Sequence, residues 1–351
     1  LTGTSDLAGQ MLNKGTKTRT KSQIDEAVDF MGASLSTSET GIMASSLSRY
    51  TDKLLEVMSD VLLNPTFPAE EFDKLKKQAV SALAQAKDDP NAIAENVSMA
   101  VRNGKNHPYG EVSSEKTLEK ITVEKCKEFY QSYFKPNISY LIVTGDINMA
   151  DVKKLAQKYF GDWKQGDVKR SNFDMPQKPT ATQVDFVDKA GAVQSVINIT
   201  YPVDLKPGTP DAIKASVMNT VLGSYFGSRL NANLREDKAY TYGARSVLNT
   251  DPVVGYFNAY ASVRNEVTDS SIVQFLHELN RLRNEPIPQD ELDMVKNVMT
   301  GNFARSLESP ETVARFALNT ARFNLPADYY ANYLQQLSQV SATDIQQMAS
   351  K

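Results

Sequence analysis

The sequence predicts an α+β fold of two tandem, structurally similar domains, each a sheet with helices packed on one face. Two similar segments carry this prediction: "TDKLLEVMSDVLLNPTFPAEEFDKLKKQ" from Thr51 and "TDSSIVQFLHELNRLRNEPIPQDELDMVKNV" from Thr268. Aligning Pro68 with Pro288 places the second segment 220 residues after the first. Self-similarity at a fixed period indicates a repeated structural unit.

The offset is nearly the same farther along the chain, where "ITVEKC" aligns with "VSATDI" and Thr122 pairs with Ser341, 219 residues later. Two unrelated amphipathic helix pairs are the alternative explanation, but they do not require a constant spacing. Residues 165–182 are rich in Lys, Asp, Pro and Gln, which is typical of a linker. We therefore predict a first domain at 1–164 and a second at 183–351.

Apolar spacing, together with polar and proline boundaries, places the elements of the first domain. Apolar residues recur at helical spacing between Asp6 and Met31 and at 51–63, 68–87, 92–102, 123–134 and 149–160. Strands are predicted where Ser and Thr alternate with apolar residues, at 33–40 and 42–49, and at the Tyr-Leu-Ile-Val run in 139–144.

The same patterns place the elements of the second domain. Strands are predicted at 183–188, 193–201, 240–249 and 255–263. Helices are predicted at 211–222, 228–236, 269–284, 288–307, 310–320 and 328–335, with a last one from 342.

The repeat leaves two regions without a counterpart. Residues 181–219 have no matching segment upstream in the first half, and the strand at 139–144 has none downstream in the second half. A sheet without the matching strands would expose unpaired edges. We therefore expect opening strands before Leu1 and a closing strand after Lys351.

Composition excludes several classes of protein. The formal net charge of −3 over 351 residues does not match a nucleic-acid binder, which normally shows a basic excess. No apolar run approaches the ~20 residues of a membrane-spanning helix. Cys126 is the only cysteine, so no disulfide forms within the chain, and His107 and His277 are the only histidines. A zinc enzyme built on two or three imidazoles lacks its ligands here.

The stretch "GTSDLAGQMLNKGTKTRTKSQIDEAVDFMGASLSTSET" from Gly3 resembles the zinc-motif region of the pitrilysin-type, or insulinase-family, zinc metallopeptidases. Active members read G-x-x-H-x-x-E-H-M-L-F-K-G-T there. The fragments "NHPYG", "FKPN" and "VTGD" match the family pattern in the same order. The resemblance covers nearly the whole chain and implies half of a clamshell-shaped peptidase.

The chain departs from this pattern where the chemistry lies. The first metal histidine falls on Asp6, the catalytic glutamate on Gly9, the second histidine on Gln10, and the distal glutamate ligand near Ala82. A hydrolytic zinc needs three protein ligands and a base for its bound water. We therefore expect that this chain binds no zinc and that the metal lies on a partner.

The second half keeps more of the pattern. "LGSYFGSRLNANLREDKAYTYGARS" resembles the family region whose arginine and tyrosine reach the substrate at a partner's zinc. The resemblance places these roles on Arg235 and Tyr242, seven residues apart, acting in trans. The ordinary alternatives are a surface ion pair of Arg235 with Glu236 or Asp237 and a half-buried strand position for Tyr242.

Three functions are open at this point. The chain is the non-zinc subunit or half of an insulinase-family peptidase that cuts peptides in a closed chamber, or a scaffold of the same fold like the core proteins of the respiratory bc1 complex. A peptidase with an unrecognised metal site is the third, and the missing histidines oppose it. The expected partners are a zinc-bearing subunit or half and a peptide, without nucleic acid or a membrane span. A bacterial periplasm or cell envelope is the expected compartment, with the cytoplasm left open.

Overall fold

A computed structural model describes residues 2–169 and 171–351 of the protein. They divide into two compact units, the first containing residues 2–85 and 113–171 and the second containing residues 86–112 and 172–351. The domains expected from the repeat, 1–164 and 183–351, are continuous in sequence, whereas the compact units are not. The expected domain limits stay a prediction.

Helices make up most of the regular structure. In chain order they are α1 Thr4–Met11, α2 Lys21–Phe30, α3 Thr51–Leu63, α4 Ala69–Ala86, α5 Pro90–Asn103, α6 Glu115–Glu119, α7 Val123–Tyr133, α8 Met149–Phe160, α9 Pro210–Asn219, α10 Arg229–Asn231, α11 Thr268–Asn284, α12 Gln289–Ser306, α13 Pro310–Arg322, α14 Tyr333–Gln339 and α15 Ala342–Ser350. The strands are β1 Ser34–Ser38, β2 Gly41–Ser45, β3 Gln194–Val203, β4 Thr241–Asn249 and β5 Gly255–Arg264.

The first unit packs its helices on a two-stranded antiparallel hairpin. β1 pairs with β2, with Ser34 opposite Ser45 and Ser38 opposite Gly41. Capping boxes begin α2 at Thr20 and α6 at Ser114. The core comprises apolar side chains from α1, α2, α3, α4 and α7, including Leu7, Met11, Ile24, Val57, Val61, Phe72 and Cys126.

A buried carboxylate fixes the loop between α1 and α2 on α3. The Asp60 Oδ2 atom accepts hydrogen bonds from the hydroxyls of Thr16 and Thr18, both at 2.6 Å, and from Arg19 Nη1 at 2.9 Å. Burial raises the pKa of Asp60, but these bonds and one from Asn64 outweigh it and hold the pKa below its ordinary value. The "GTKTRT" loop therefore depends on the ionised form of Asp60.

The second unit is built on a three-stranded antiparallel sheet of order β3-β5-β4. β5 sits in the middle, and alternate residues such as Phe257, Ala259 and Ala261 face a core formed with α9, α11, α12 and α15. Side chains on a strand alternate between its two faces. Tyr256 and Ser262 of β5 therefore lie on the opposite face from this core.

Helix α5 covers that opposite face, although it belongs to the first sequence repeat. Near its start, Asn91 Oδ1 accepts a hydrogen bond from the Ser262 hydroxyl at 3.3 Å. Near its end, Arg102 donates to the Thr200 hydroxyl at 3.0 Å and lies 3.9 Å over the Tyr256 ring. The second unit thus has helices on both faces of its sheet.

The predicted repeat is visible in the order of elements. In the first unit the β1–β2 hairpin is followed by a 3₁₀ turn at Ser48–Tyr50 and then by α3 and α4. In the second, β4 and β5 are followed by a 3₁₀ turn at Asn265–Val267 and then by α11 and α12. The predicted α+β class is confirmed. The second unit departs from the prediction in one respect, because helices lie on both faces of its sheet rather than on one.

Two predicted strands are wrong. Residues 139–144 and 183–188, all of which the structure describes, form no strand. Apolar runs indicate burial, but a strand also requires a neighbouring strand for its backbone hydrogen bonds. Tyr140, Leu141, Val184 and Phe186 remain exposed. No helix among the described residues has the length and apolarity that crossing a membrane requires.

Replacing the buried carboxylate tests the α1–α2 loop anchor. Asp60→Asn should lower the free energy of unfolding at pH 7 by about 1.5–3 kcal/mol, because charge-assisted hydrogen bonds are lost. Since the pKa of Asp60 is lowered on folding, its contribution is present above the ordinary aspartate pKa of about 3.9 and disappears as the pH falls below it. Urea unfolding between pH 7 and pH 3 measures this. Asp52→Asn, an exposed change on the same helix, is the control, and an equal effect of both variants would contradict the assignment.

Candidate functional site

Helix α1 carries three of the four degenerate zinc-motif positions. Leu7, Ala8 and Met11 bury one side of the helix in the core of the first unit. Asp6 and Gln10 lie four residues apart and therefore on one face. The Gln10 Nε2 atom donates a hydrogen bond to Asp6 Oδ2 at 3.0 Å. A carboxylate bound to a neutral amide replaces the pair of imidazoles that a zinc site needs.

Gly9 lies at the position of the catalytic glutamate in the family pattern. Neighbouring main-chain atoms occupy the space that a side chain at this position would need. A Cβ atom there would lie 2.2 Å from Glu39 N and 2.2 Å from Ser38 C, in the turn between β1 and β2. Thr40 N donates to the Ser38 hydroxyl at 3.3 Å, which fixes that turn. No side chain fits at position 9 without moving main-chain atoms, so the space for a general base is absent.

The remaining candidate ligands do not complete a metal site. Ala82 is exposed on α4 and offers no donor atom. His107 caps a 3₁₀ turn, where its Nδ1 atom accepts from Tyr109 N at 3.1 Å, and His277 is exposed on α11. Among the described residues no three His, Cys, Asp or Glu side chains cluster as a metal site. The residues present do not fit a catalytic zinc ion.

Arg235 lies in a segment of unusual helical geometry in the second unit. Residues Ala232–Asp237 form a π-helix, in which Lys238 N donates to Asn233 O at 3.0 Å, five residues back. A second π-helical segment, Thr220–Ser224, precedes it. Well under 1% of residues adopt this form, and π-bulges occur frequently at functional sites. The wide turns mark this part of the chain as a candidate site.

The Arg235 side chain is about one-third exposed and already has two partners. Its Nη1 atom forms an ion pair with Glu236 Oε1 at 2.7 Å. Its guanidinium also lies 4.5 Å from the ring centroid of Phe226, which is 67% exposed. Cation–π contact with an aromatic face stabilises an arginine without neutralising its charge. The cation remains available to an anionic or carbonyl group.

Tyr242 is presented by an irregularity in β4. The pairing of β4 with β5 shifts register between Thr241 and Ala244, so Tyr242 lies in a β-bulge. Bulges re-aim side chains and are over-represented next to active sites. The Tyr242 side chain is 93% exposed rather than half-buried. Among the described contacts Arg235 binds Glu236 and Phe226, and none joins it to Tyr242.

Buried polar anchors hold the segment from residue 228 to residue 237. Arg229 Nε and Nη2 donate to the two carboxylate oxygens of Glu291, each at 2.7 Å. Burial lowers the pKa of Arg229, and the bond to Glu291 more than offsets it. Asn231 Nδ2 donates to Phe226 O at 2.7 Å and fixes the loop before α10. The candidate site therefore rests on a rigid support.

Sequence models of known protein families match most of the chain. Residues 1–110 match "Insulinase (Peptidase family M16)" and residues 120–299, more than half of the chain, match "Peptidase M16 inactive domain". The chain belongs to peptidase family M16. The resemblance found in the motif region is thereby confirmed.

Similar proteins include one that is named a non-peptidase and others that are named zinc proteases. The "Non-peptidase homolog YmxG" of Helicobacter pylori is 22% identical over 349 residues, covering 98% of this chain and 80% of that protein. An "Uncharacterized zinc protease YmxG" of Bacillus subtilis is 24% identical, covering 88% and 75%. A crystal structure of a peptidase M16 inactive domain from Pseudomonas fluorescens has a TM-score of 0.87 at 22% identity, covering 99% and 84%. The chain thus has both the family and the fold of M16 proteins.

The site positions assigned from the sequence stay a prediction, and the sequence did not indicate their surroundings. The contact of Gly9 with the turn at Ser38 joins residues distant in sequence, and only the glycine itself was a signal for it. The π-helices have no clear sequence pattern, because their side chains follow helical periodicity closely enough to read as α-helix.

Enlarging Gly9 tests the filled site. Gly9→Ala should lower the free energy of unfolding by about 1–3 kcal/mol, because added atoms force main-chain movement in a packed region. Gly301→Ala on α12 is the control, since its Cβ would meet no atom within 4 Å. That variant should instead gain about 0.5–1 kcal/mol. Equal stabilisation of both variants in urea unfolding would show that position 9 has room.

A strained alanine follows the Arg235 segment and gives a second stability test. Ala239 has φ +52°, and Tyr240 N donates across it to Leu234 O at 2.9 Å. A left-handed L-residue costs about 1–2 kcal/mol. Ala239→Gly should therefore raise the free energy of unfolding by up to about 1 kcal/mol. Ala232→Gly, at an ordinary helical φ of −58°, should lower it. A loss of stability in Ala239→Gly would contradict the strain.

Proposed function

We propose that this chain is the non-zinc subunit or half of a two-part M16 metallopeptidase, acting on peptides in trans to a zinc-bearing partner. The main support is a contrast within the chain. The zinc-motif positions are closed by packing and by the Asp6–Gln10 hydrogen bond. Arg235 and Tyr242 instead keep accessible side chains on irregular backbone held by buried anchors.

Each of the two residues has a defined chemical capacity. Arg235 offers a planar cationic fork that binds a peptide carboxylate or carbonyl and holds the extended substrate. Tyr242 offers a hydroxyl donor that stabilises the negative charge developing on the carbonyl oxygen during attack. The zinc and the base come from the partner. Closure of the two parts would exclude water and strengthen both interactions.

A scaffold of the same fold is the second candidate. The ion pair between Arg235 and Glu236 favours it, because a satisfied surface pair needs no substrate. The name of the Helicobacter pylori relative, a non-peptidase homolog, favours it as well. A scaffold would bind its partner without any contribution of Arg235 or Tyr242 to turnover, so mutagenesis separates the two functions.

Substitutions at the two residues test the catalytic proposal. Tyr242→Phe should lower the turnover of the assembled enzyme by ~10²-fold or more, as loss of one oxyanion donor does. Arg235→Ala should lower turnover and raise KM, because the guanidinium also holds the ground-state peptide. The variants are mixed with the zinc-bearing partner, and kcat and KM are measured on a quenched peptide.

Matched exposed residues provide the controls. Arg264 forms a similar surface pair with Glu266 at 3.1 Å, and Tyr133 is an exposed tyrosine of the first unit. Arg264→Ala and Tyr133→Phe should leave kcat/KM unchanged. If Arg235→Ala and Tyr242→Phe behave like these controls while still binding the partner, the scaffold function is correct.

A further inference from the structure

Glu278, on α11, is a carboxylate buried in the second unit. The residue is 97% removed from solvent and accepts hydrogen bonds from Asn233 and Arg281. It also interacts electrostatically with the buried guanidinium of Arg229. Taking a carboxylate out of water costs several kcal/mol before its partners offset the loss. Leu282, one turn further along α11, fills the same core with an apolar side chain. A leucine at 278 would avoid the cost of burying a charge, but it would take away an acceptor from the Asn233 amide.

One partner of Glu278, Asn233, lies two residues before Arg235 in the sequence. Asn233 Nδ2 donates to Glu278 Oε1 at 2.7 Å and to Gln274 Oε1 at 3.1 Å. The Asn233 Oδ1 atom is buried without a hydrogen-bond partner among the described residues. The side-chain amide is thus held by its donors alone, and both acceptors belong to α11. This fixes which way Asn233 faces.

The main chain of Asn233 forms the wide turn itself. Its carbonyl accepts from Lys238 N at 3.0 Å, the bond that closes the π-helical turn around Arg235. An α-helical turn closes one residue earlier and would rotate each later side chain by about 100° around the axis. The direction of Arg235 therefore depends on whether the wide or the ordinary turn forms.

We propose that Glu278, through Asn233, is a positioning residue that holds the wide turn and so aims Arg235 away from the helix. The buried carboxylate selects one backbone conformation at the expense of stability, a role for which buried polar groups have precedent. The catalytic consequence rests on the proposed function, whereas the conformational statement does not.

Exchanging donor and acceptor tests the contact. Asn233→Asp places two carboxylates at hydrogen-bond distance and should open the turn. Adding Glu278→Gln restores one donor and one acceptor with their roles reversed. Amide hydrogen exchange of Lys238 and Tyr240 should quicken about tenfold or more in Asn233→Asp and return to within about threefold in the double variant. Glu285→Gln, on the same helix and paired with Arg281, should change neither amide.

Coupling to Arg235 tests the positioning role. In the enzyme assembled with its zinc-bearing partner, Asn233→Asp should lower kcat by about tenfold, and the double variant should recover it. In an Arg235→Ala background the same substitution should cost nothing further. An equal loss in both backgrounds, or unchanged exchange of Lys238 in Asn233→Asp, would overturn the proposal. If Arg235→Ala alone leaves kcat/KM unchanged, the proposed function fails, and the exchange data still decide the conformational part.

Discussion

The approach of the β1–β2 turn to Gly9 is the contact on which the character of the first unit depends. Main-chain atoms of Ser38 and Glu39 lie where a side chain of residue 9 would begin. Interiors are packed as densely as organic crystals, so this volume cannot serve both a turn and a catalytic carboxylate. The lack of room for a side chain at position 9 is therefore a property of the packing around it.

The rest of the first unit is a framework whose packing does not involve a metal site. α1 still buries Leu7 and Met11, and Asp60 still anchors the loop that follows it. Gln10 and Asp6 satisfy one another on the outer face of the helix. Framework and chemistry are separable here because core packing needs only the buried side of α1, whereas metal binding needs the other side.

The helices and the repeat could be predicted from sequence, because apolar periodicity reports which side of a helix is buried. Only the family pattern could propose the site positions, which are Asp6, Gly9, Gln10, Ala82, Arg235 and Tyr242. The prediction of strands at 139–144 and 183–188 was wrong, because a strand forms only where a second segment pairs with it. The placement of α5 on the second sheet was missed for a related reason. Its contacts with Thr200 and Tyr256 join residues about a hundred or more positions apart, and helix periodicity carries no information on the partner.

The second unit differs from the first in the irregular backbone that surrounds its candidate site. The backbone departs from regular helix and strand geometry several times within a short stretch. The departures are two π-helical segments, a β-bulge at Tyr242 and a left-handed alanine at 239. Strained or irregular backbone persists only where surrounding structure enforces it, and it concentrates at functional sites. Glu278 and Arg229 supply that enforcement from within the core. A fold retained for assembly alone could relax each of these features and become more stable. Their presence around Arg235 therefore supports the proposal that this residue contacts a substrate.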